Sequence, residues 1–328
     1  GIGKTMSVLY PCLKAFAKGE NRRIFYLTAK SSGREAASEA LSRLYEKGLV
    51  ARDSLLTAKE KICFSLGKAC NPDDCPFAKG YYTKLPKVLE EALASKKRFS
   101  FENVVSWAKH DALCPFELQL DLSLWADVII CDYNYLFDPL VHLERFFGDD
   151  ADPSHDLALV DEAHNLVDRG RDMYSASLSA GECAFVKKKL AHFRLPAIKT
   201  ALTKLEKTLR GYDLANGNSV MDLPEIPKEI ARPLEALSKA TLTLNKEPHP
   251  SLPDSYKNLS REAHRFAYLD ENYPTETMLY GEREGSDYVL HLYCPDPSDM
   301  LKASLSPLKG RIIFSATLSP IAYYMDAI

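Results

Sequence analysis

Apolar positions fall into two rhythms along this chain. Arg23-Ile24-Phe25-Tyr26-Leu27-Thr28, Ala126-Asp127-Val128-Ile129-Ile130-Cys131 and Leu157-Ala158-Leu159-Val160 are short, nearly unbroken apolar runs. Such runs mark strands covered on both faces. Thr5–Lys18 and Arg34–Tyr45 instead carry helical spacing, the second closing before Gly48. Residues 53–120 interrupt the alternation with clustered Cys, Pro and Gly, ahead of a helix predicted at Lys87–Ser95. Residues 173–285 read as mainly helical, with Leu, Ala and Lys at helical spacing around Leu178–Leu209 and Ile230–Leu244. A joint at Pro248, Pro250 and Pro253 divides that block. Strands return at Tyr288–Tyr293 and Arg311–Ser315. The pattern predicts an α/β fold: one parallel-sheet domain built from 1–52, 119–171 and 288–328, carrying insertions at 53–118 and 172–287.

The chain has 328 residues and a net charge of −3, so no global basic field announces nucleic acid. The balance conceals two opposed stretches. Residues 1–50 hold nine basic and four acidic side chains, whereas residues 121–172 hold three basic and thirteen acidic ones. The first suits phosphates; the second repels them unless a cation intervenes. No apolar run is long enough to span a membrane, and the N-terminus lacks the order of a secretory signal. Eight cysteines are too few for a disulfide scaffold in a chain of this length. They predict a reducing, cytoplasmic setting in which clustered thiols bind metal. Cys12, Cys131, Cys183 and Cys294 are scattered, and Cys131 closes an apolar run as a buried strand residue. Cys63, Cys70 and Cys75 lie within thirteen residues.

Gly3-Lys4-Thr5 is the final triplet of the phosphate loop G-x-x-x-x-G-K-[ST], with Gly1 inside the loop. In such a loop backbone N–H groups cradle phosphate, Lys4 meets the β and γ phosphates, and the Thr5 hydroxyl binds Mg²⁺. Alone the triplet is a weak signal. Asp161-Glu162-Ala163-His164 strengthens it, because it follows the run Leu157–Val160 directly. A carboxylate at the carboxyl end of a parallel strand is placed for ligand chemistry. Asp161 is expected to hold Mg²⁺ and Glu162 to orient or deprotonate the attacking water. His164 by itself is more often structural than catalytic. Ser315-Ala316-Thr317, third in order and again after an apolar run, suggests a hydroxyl pair that couples nucleotide state to nucleic-acid grip.

With these motifs in this order, the chain resembles the first motor domain of a superfamily 2 helicase. The cysteines bring it closer to the iron–sulfur DNA helicases of the xeroderma pigmentosum group D (XPD) and DinG family, and most of all to the bacterial DinG-like branch. The matching pieces are Cys63, Cys70-Asn71-Pro72-Asp73-Asp74-Cys75-Pro76-Phe77-Ala78-Lys79-Gly80-Tyr81-Tyr82, Cys114-Pro115-Phe116-Glu117 and Cys131-Asp132-Tyr133-Asn134-Tyr135-Leu136-Phe137. The resemblance implies a P-loop (RecA-like) motor with an inserted iron–sulfur domain and an inserted, mainly helical arch domain.

It further implies ATP, Mg²⁺ and a [4Fe–4S] cluster on Cys63, Cys70, Cys75 and Cys114. Four thiolates suit such a cluster, while the gaps of six, four and thirty-eight residues leave only Cys70 and Cys75 as a zinc-like pair. Zinc stays open as the alternative. Lys59, Lys61, Lys68, Lys79 and Lys84 belong either to a DNA contact or to a solvated face. Thr28 and Lys30 sit where the family touches single-stranded DNA, and Tyr133 or Tyr135 either stacks on a base or is buried. The implied activity is ATP-driven 5′-to-3′ translocation on single-stranded DNA and at duplex junctions, in DNA repair or replication. The alternatives are a non-unwinding DNA-dependent ATPase, or a zinc-stabilised DNA-binding module with degenerate ATP motifs. Because Gly1 lies inside the phosphate loop and no second motor domain follows Thr317, the chain is expected to be an N-terminal fragment, inactive without that domain's arginines.

Overall fold

In the computed structural model, residues 3–95, 98–216, 220–244, 252–285 and 287–328 are described. They form two compact units, one of residues 1–169 and 298–328 and the other of residues 170–297.

The first unit is organised by a five-stranded parallel sheet. Its strands are β1 (Arg23–Leu27), β2 (Asp53–Leu55), β3 (Val128–Cys131), β4 (Asp156–Asp161) and β9 (Gly310–Phe314), in the order β2-β3-β1-β4-β9. The two central apolar runs are buried throughout, Ile24–Leu27 and Val128–Cys131 alike, as a sheet covered on both faces requires. Helices α1 (Gly3–Ala17) and α2 (Ser31–Tyr45) cover one face. Leu9 and Leu13 of α1 and Ala37 and Leu41 of α2 pack on Ile24, Tyr26, Val128, Ile130 and Leu159. On the other face Phe25 meets the rings of Phe146 and Phe147 at 5.3 and 4.8 Å. At the start of β4 the buried Asp156 carboxylate receives Arg22 and Arg23, whose Nε atoms lie 3.1 and 3.3 Å away. A buried carboxylate without such partners would be strongly destabilising.

The sheet reaches further than the periodicity predicted. Asp53–Leu55, assigned above to the first insertion, is an edge strand paired in parallel with β3. Three residues are too few to carry a readable alternation. Beyond it come α3 (Lys59–Ile62), α4 (Tyr81–Ala94), α5 (Phe101–His110) and α6 (Pro115–Ser123). Of these only the later part of α4 was predicted, as Lys87–Ser95.

The second unit corrects the expectation of a helical insertion ending at 287. Four helices, Ala180–Lys189, Pro196–Asn216, Lys228–Leu244 and Asp254–Asn272, accompany an antiparallel sheet. Its strands β5 (Ala176–Ser179), β6 (Val220–Leu223), β7 (Met278–Glu284) and β8 (Asp287–Tyr293) run in the order β5-β8-β7-β6. Tyr288–Tyr293, read above as a motor strand, therefore belongs to this sheet. The cause is local. β7 and β8 form a hairpin from Met278↔Tyr293 to Glu284↔Asp287, with Gly285 at φ 63° in its turn. Gly281 lets the pair close, since a Cβ there would lie 1.7 Å from the Tyr288 hydroxyl. Pro248 and Pro250 of the predicted joint lie outside the described residues; Pro253 precedes the helix Asp254–Asn272.

Candidate nucleotide site and cysteine cluster

Parallel register brings the strand ends level. Leu27 pairs with both Cys131 and Val160, and Asp161 pairs with Phe314. Residues that follow these strands therefore share the carboxyl edge of the sheet, where α/β folds bind ligands. The amino end of α1 arrives at the same edge, because Lys4 Nζ lies 3.3 Å from Glu162 Oε1. Its unpaired N–H groups and helix dipole favour an anion there. Gly1 lies outside the described residues; Gly3 opens α1.

Asp161 is buried and held on every side. Its Oδ1 accepts the Glu162 backbone N–H at 2.8 Å, and its Oδ2 accepts the Tyr26 hydroxyl at 2.6 Å. The Tyr26 hydroxyl lies 3.4 Å from Thr5 Oγ1, so it stands between the two side chains expected to hold Mg²⁺. The Tyr133 hydroxyl donates to the Asp161 carbonyl. Burial, reinforced by the Asp161 hydrogen bond, pushes the Tyr26 phenol well above its usual range. Burial and the Asp161 charge do the same for Tyr133. Both rings stay protonated and act as donors.

Glu162 adopts φ 55°, ψ 39°, the left-handed region that a non-glycine residue enters at a cost of about 1 kcal/mol. Its N–H is tied to Asp161, and its carbonyl accepts the backbone and side-chain amides of Asn165 at 2.9 and 3.1 Å. The turn aims its carboxylate at Lys4 on one side and at His164 Nδ1, 3.4 Å away, on the other. His164 Nδ1 also meets Ser315 Oγ at 2.5 Å. Lys4, Thr5, Asp161, Glu162, His164 and Ser315 thus form one connected set. Thr317 is exposed, and its N–H lies 3.4 Å from Ser315 Oγ.

The residues expected to touch DNA fare differently. Lys30 is exposed at the amino end of α2. Thr28 is fully buried, its hydroxyl so tight against α2 that a Cβ on Gly33 would lie 2.3 Å away. Tyr133 and Tyr135 are 0% and 9% exposed, so neither offers a stacking face; the buried alternative is the correct one. Sequence reasoning assigned Tyr26 to the core and missed its hydroxyl. The available signal was a buried tyrosine beside the acidic strand, whose O–H must find a partner.

The cysteine segment is built from turns and short helices. Asn71 Oδ1 accepts the N–H groups of Asp73 and Asp74 at 3.0 and 2.9 Å, shaping the loop from Cys70 to Cys75. Cys63 Sγ accepts the Ser65 N–H at 3.4 Å. Cys114 opens α6, and the backbone N–H groups of Glu117 and Phe116 point at its sulfur; burial still raises the thiol. Burial works against the Lys59 ammonium, but its hydrogen bond to Cys70 and the nearby sulfurs of Cys63 and Cys114 raise its pKa overall. Donors directed at sulfur are the environment of ligating thiolates. Cys75 is buried, Cys70 exposed and the other two intermediate. Among the described residues no three of these sulfurs lie within 4.8 Å of one another. Four thiols are a donor set that suits either zinc or an iron–sulfur cluster. Cys12, Cys131, Cys183 and Cys294 are buried, Cys131 as the sequence predicted.

The DEAD_2 family model matches residues 47–182, from the edge strand through the cysteines to just past the acidic turn. A chicken (Gallus gallus) Fanconi anemia group J protein homolog is 26% identical over 126 residues, 38% of this chain and 10% of that protein. The Arabidopsis thaliana general transcription and DNA repair factor IIH helicase subunit XPD is 22% identical over 389 aligned positions, 93% of this chain and 50% of that protein. These matches make the chain similar to XPD-type helicase chains. A solved structure titled "Truncated XPD" shares its fold with a TM-score of 0.65 at 18% identity, over 98% of this chain and 89% of that one. The solved "XPD_Helicase" gives 0.59 at 18% identity, over 96% and 53%. The chain spans half or less of the curated relatives named here, and its parallel sheet shares the RecA-like fold of those structures. No helix among its described residues is long and apolar enough to cross a membrane.

Proposed function

We propose that the protein is an ATP-dependent DNA helicase that moves 5′-to-3′ along single-stranded DNA and opens duplex junctions in DNA repair or replication in the cytoplasm. The observation that carries this reading is the convergence of Lys4, Thr5, Asp161 and Glu162 at one end of a parallel sheet. Lys4 exchanges Glu162 for the β and γ phosphates of ATP. Thr5 and Asp161 hold Mg²⁺, which neutralises phosphate charge when bound. Glu162, freed from Lys4, orients the attacking water and accepts its proton. The His164–Ser315 contact carries the state of that centre to the segment ending at Thr317. Lys30, at the amino end of α2, is the proposed backbone contact to DNA. Cys63, Cys70, Cys75 and Cys114 hold a [4Fe–4S] cluster, whose part is to tie the segment together.

Hydrolysis of ATP by the whole protein that carries this chain together with a second motor domain, measured with and without single-stranded DNA alongside strand displacement, tests the reading. The expected result is DNA-stimulated turnover that drives displacement and is abolished by Lys4→Ala without loss of fold. Turnover indifferent to DNA, or unchanged in Lys4→Ala, would overturn it.

A further inference from the structure

We propose that Tyr26 is a positioning residue for the divalent-cation site, an inference that rests on the nucleotide reading above. The phenol stands on β1, between the phosphate-loop helix and the acidic strand, and touches a side chain from each. Its 2.6 Å hydrogen bond to Asp161 Oδ2 takes up one lone pair of that carboxylate. The Glu162 N–H takes one on Oδ1, so the carboxylate plane cannot rotate. The second contact, 3.4 Å to Thr5 Oγ1, links the hydroxyl at the start of α1 to the same atom. Tyr26 is fully buried with its ring in the sheet core, so the hydroxyl has one place to be. The arrangement fixes two expected ligands, from elements far apart in sequence, before any cation binds. The entropy of ordering them is then not subtracted from cation affinity.

The same chemistry recurs in this unit away from the edge, at Tyr45 and at Tyr81. The Tyr45 hydroxyl donates to Asp53 Oδ1 at 2.9 Å. Tyr45→Phe therefore removes a phenol–carboxylate hydrogen bond without touching Thr5 or Asp161, and serves as the matched control.

The test is the affinity of a fluorescent N-methylanthraniloyl ATP for the protein, measured in Mg²⁺ and again in EDTA, with melting temperatures alongside. The ratio of the two affinities reports how strongly cation and nucleotide are coupled. Tyr26→Phe is expected to bind the probe as wild type does in EDTA and to lose about tenfold of the tightening by Mg²⁺, the scale of a hydrogen bond to a charged group. Tyr45→Phe is expected to keep the full ratio. If Tyr26→Phe lowers only the melting temperature and keeps the ratio, the tyrosine is a packing residue and the inference fails. If wild type binds no probe in either condition, the nucleotide reading fails and takes the inference with it.

Discussion

The carboxyl edge of the parallel sheet and the cysteine segment lie in one compact unit but are made in opposite ways. At the sheet edge the side chains sit on paired elements or directly after them: α1 brings Lys4 and Thr5, β1 brings Tyr26, β4 brings Asp161 with Glu162 and His164 in the turn that follows it, and Ser315 comes directly after β9. Ladder hydrogen bonds and a buried apolar core fix those elements whether or not nucleotide is present. The cysteine segment relies on single turns, on α3 with four residues, and on a few side-chain ties. Gln119 exchanges two hydrogen bonds with the Thr57 backbone at 2.8 and 2.6 Å, and the Tyr81 hydroxyl reaches Asp121 at 2.7 Å. A site on a rigid sheet can be complete in the polypeptide alone; a site on turns takes part of its order from what its thiols bind.

That contrast can be broken most severely at the cysteines. Cys75→Ser is expected to remove the iron and sulfide, about four of each per chain, together with the visible absorption of anaerobically purified protein. It should expose the segment to protease while nucleotide affinity stays at the wild-type level. Loss of nucleotide binding along with the cluster would show that the two regions are not independent. Zinc in place of iron in the wild type would overturn the cluster assignment.

A smaller effect sharpens the boundary between them. Arg98 follows α4 and returns the chain to the sheet. Its Nε and Nη2 lie 2.7 and 2.5 Å from the carboxylate of the buried Asp53 on β2, and Nη1 lies 2.5 Å from Ser42 Oγ on α2. Arg98→Ala leaves a buried carboxylate unpaired and is expected to cost about 3 kcal/mol in denaturant unfolding. Iron content should be retained, because the thiols do not depend on that edge. A change below about 0.5 kcal/mol, the scale of an ordinary surface substitution, would mean that the pair is solvent-screened and does not anchor the segment.

How much of this was legible in the sequence follows the same division. The parallel strands could be read because burial on both faces leaves continuous apolar runs, and the acidic turn could be read because it directly follows one of them. β2 was invisible because three residues carry no period. β8 was misassigned because an apolar strand looks the same in either sheet; only its pairing through the turn at Gly285 decides, and pairing is a tertiary fact. Tyr133 and Tyr135 carried a motif but not their burial. Tyr26 was legible as core and illegible as a ligand to Asp161, since nothing in the sequence says which strand lies beside which. Cys63, Cys70 and Cys75 could be read as a cluster because they lie within thirteen residues, whereas Cys114 joined them only through the family resemblance.

The central claim is that Glu162, held in its left-handed turn between Lys4 and His164, activates water for ATP hydrolysis at a site the polypeptide has already assembled. The direct measurement is nucleotide binding and single-turnover ATP hydrolysis by Glu162→Gln beside wild type, both in the whole protein that carries this chain together with a second motor domain, with saturating single-stranded DNA. Gln keeps the shape and removes the base. The account predicts unchanged nucleotide affinity with hydrolysis slowed by at least about a hundredfold, the contribution of a positioned general base. Hydrolysis at the wild-type rate in that variant would contradict it.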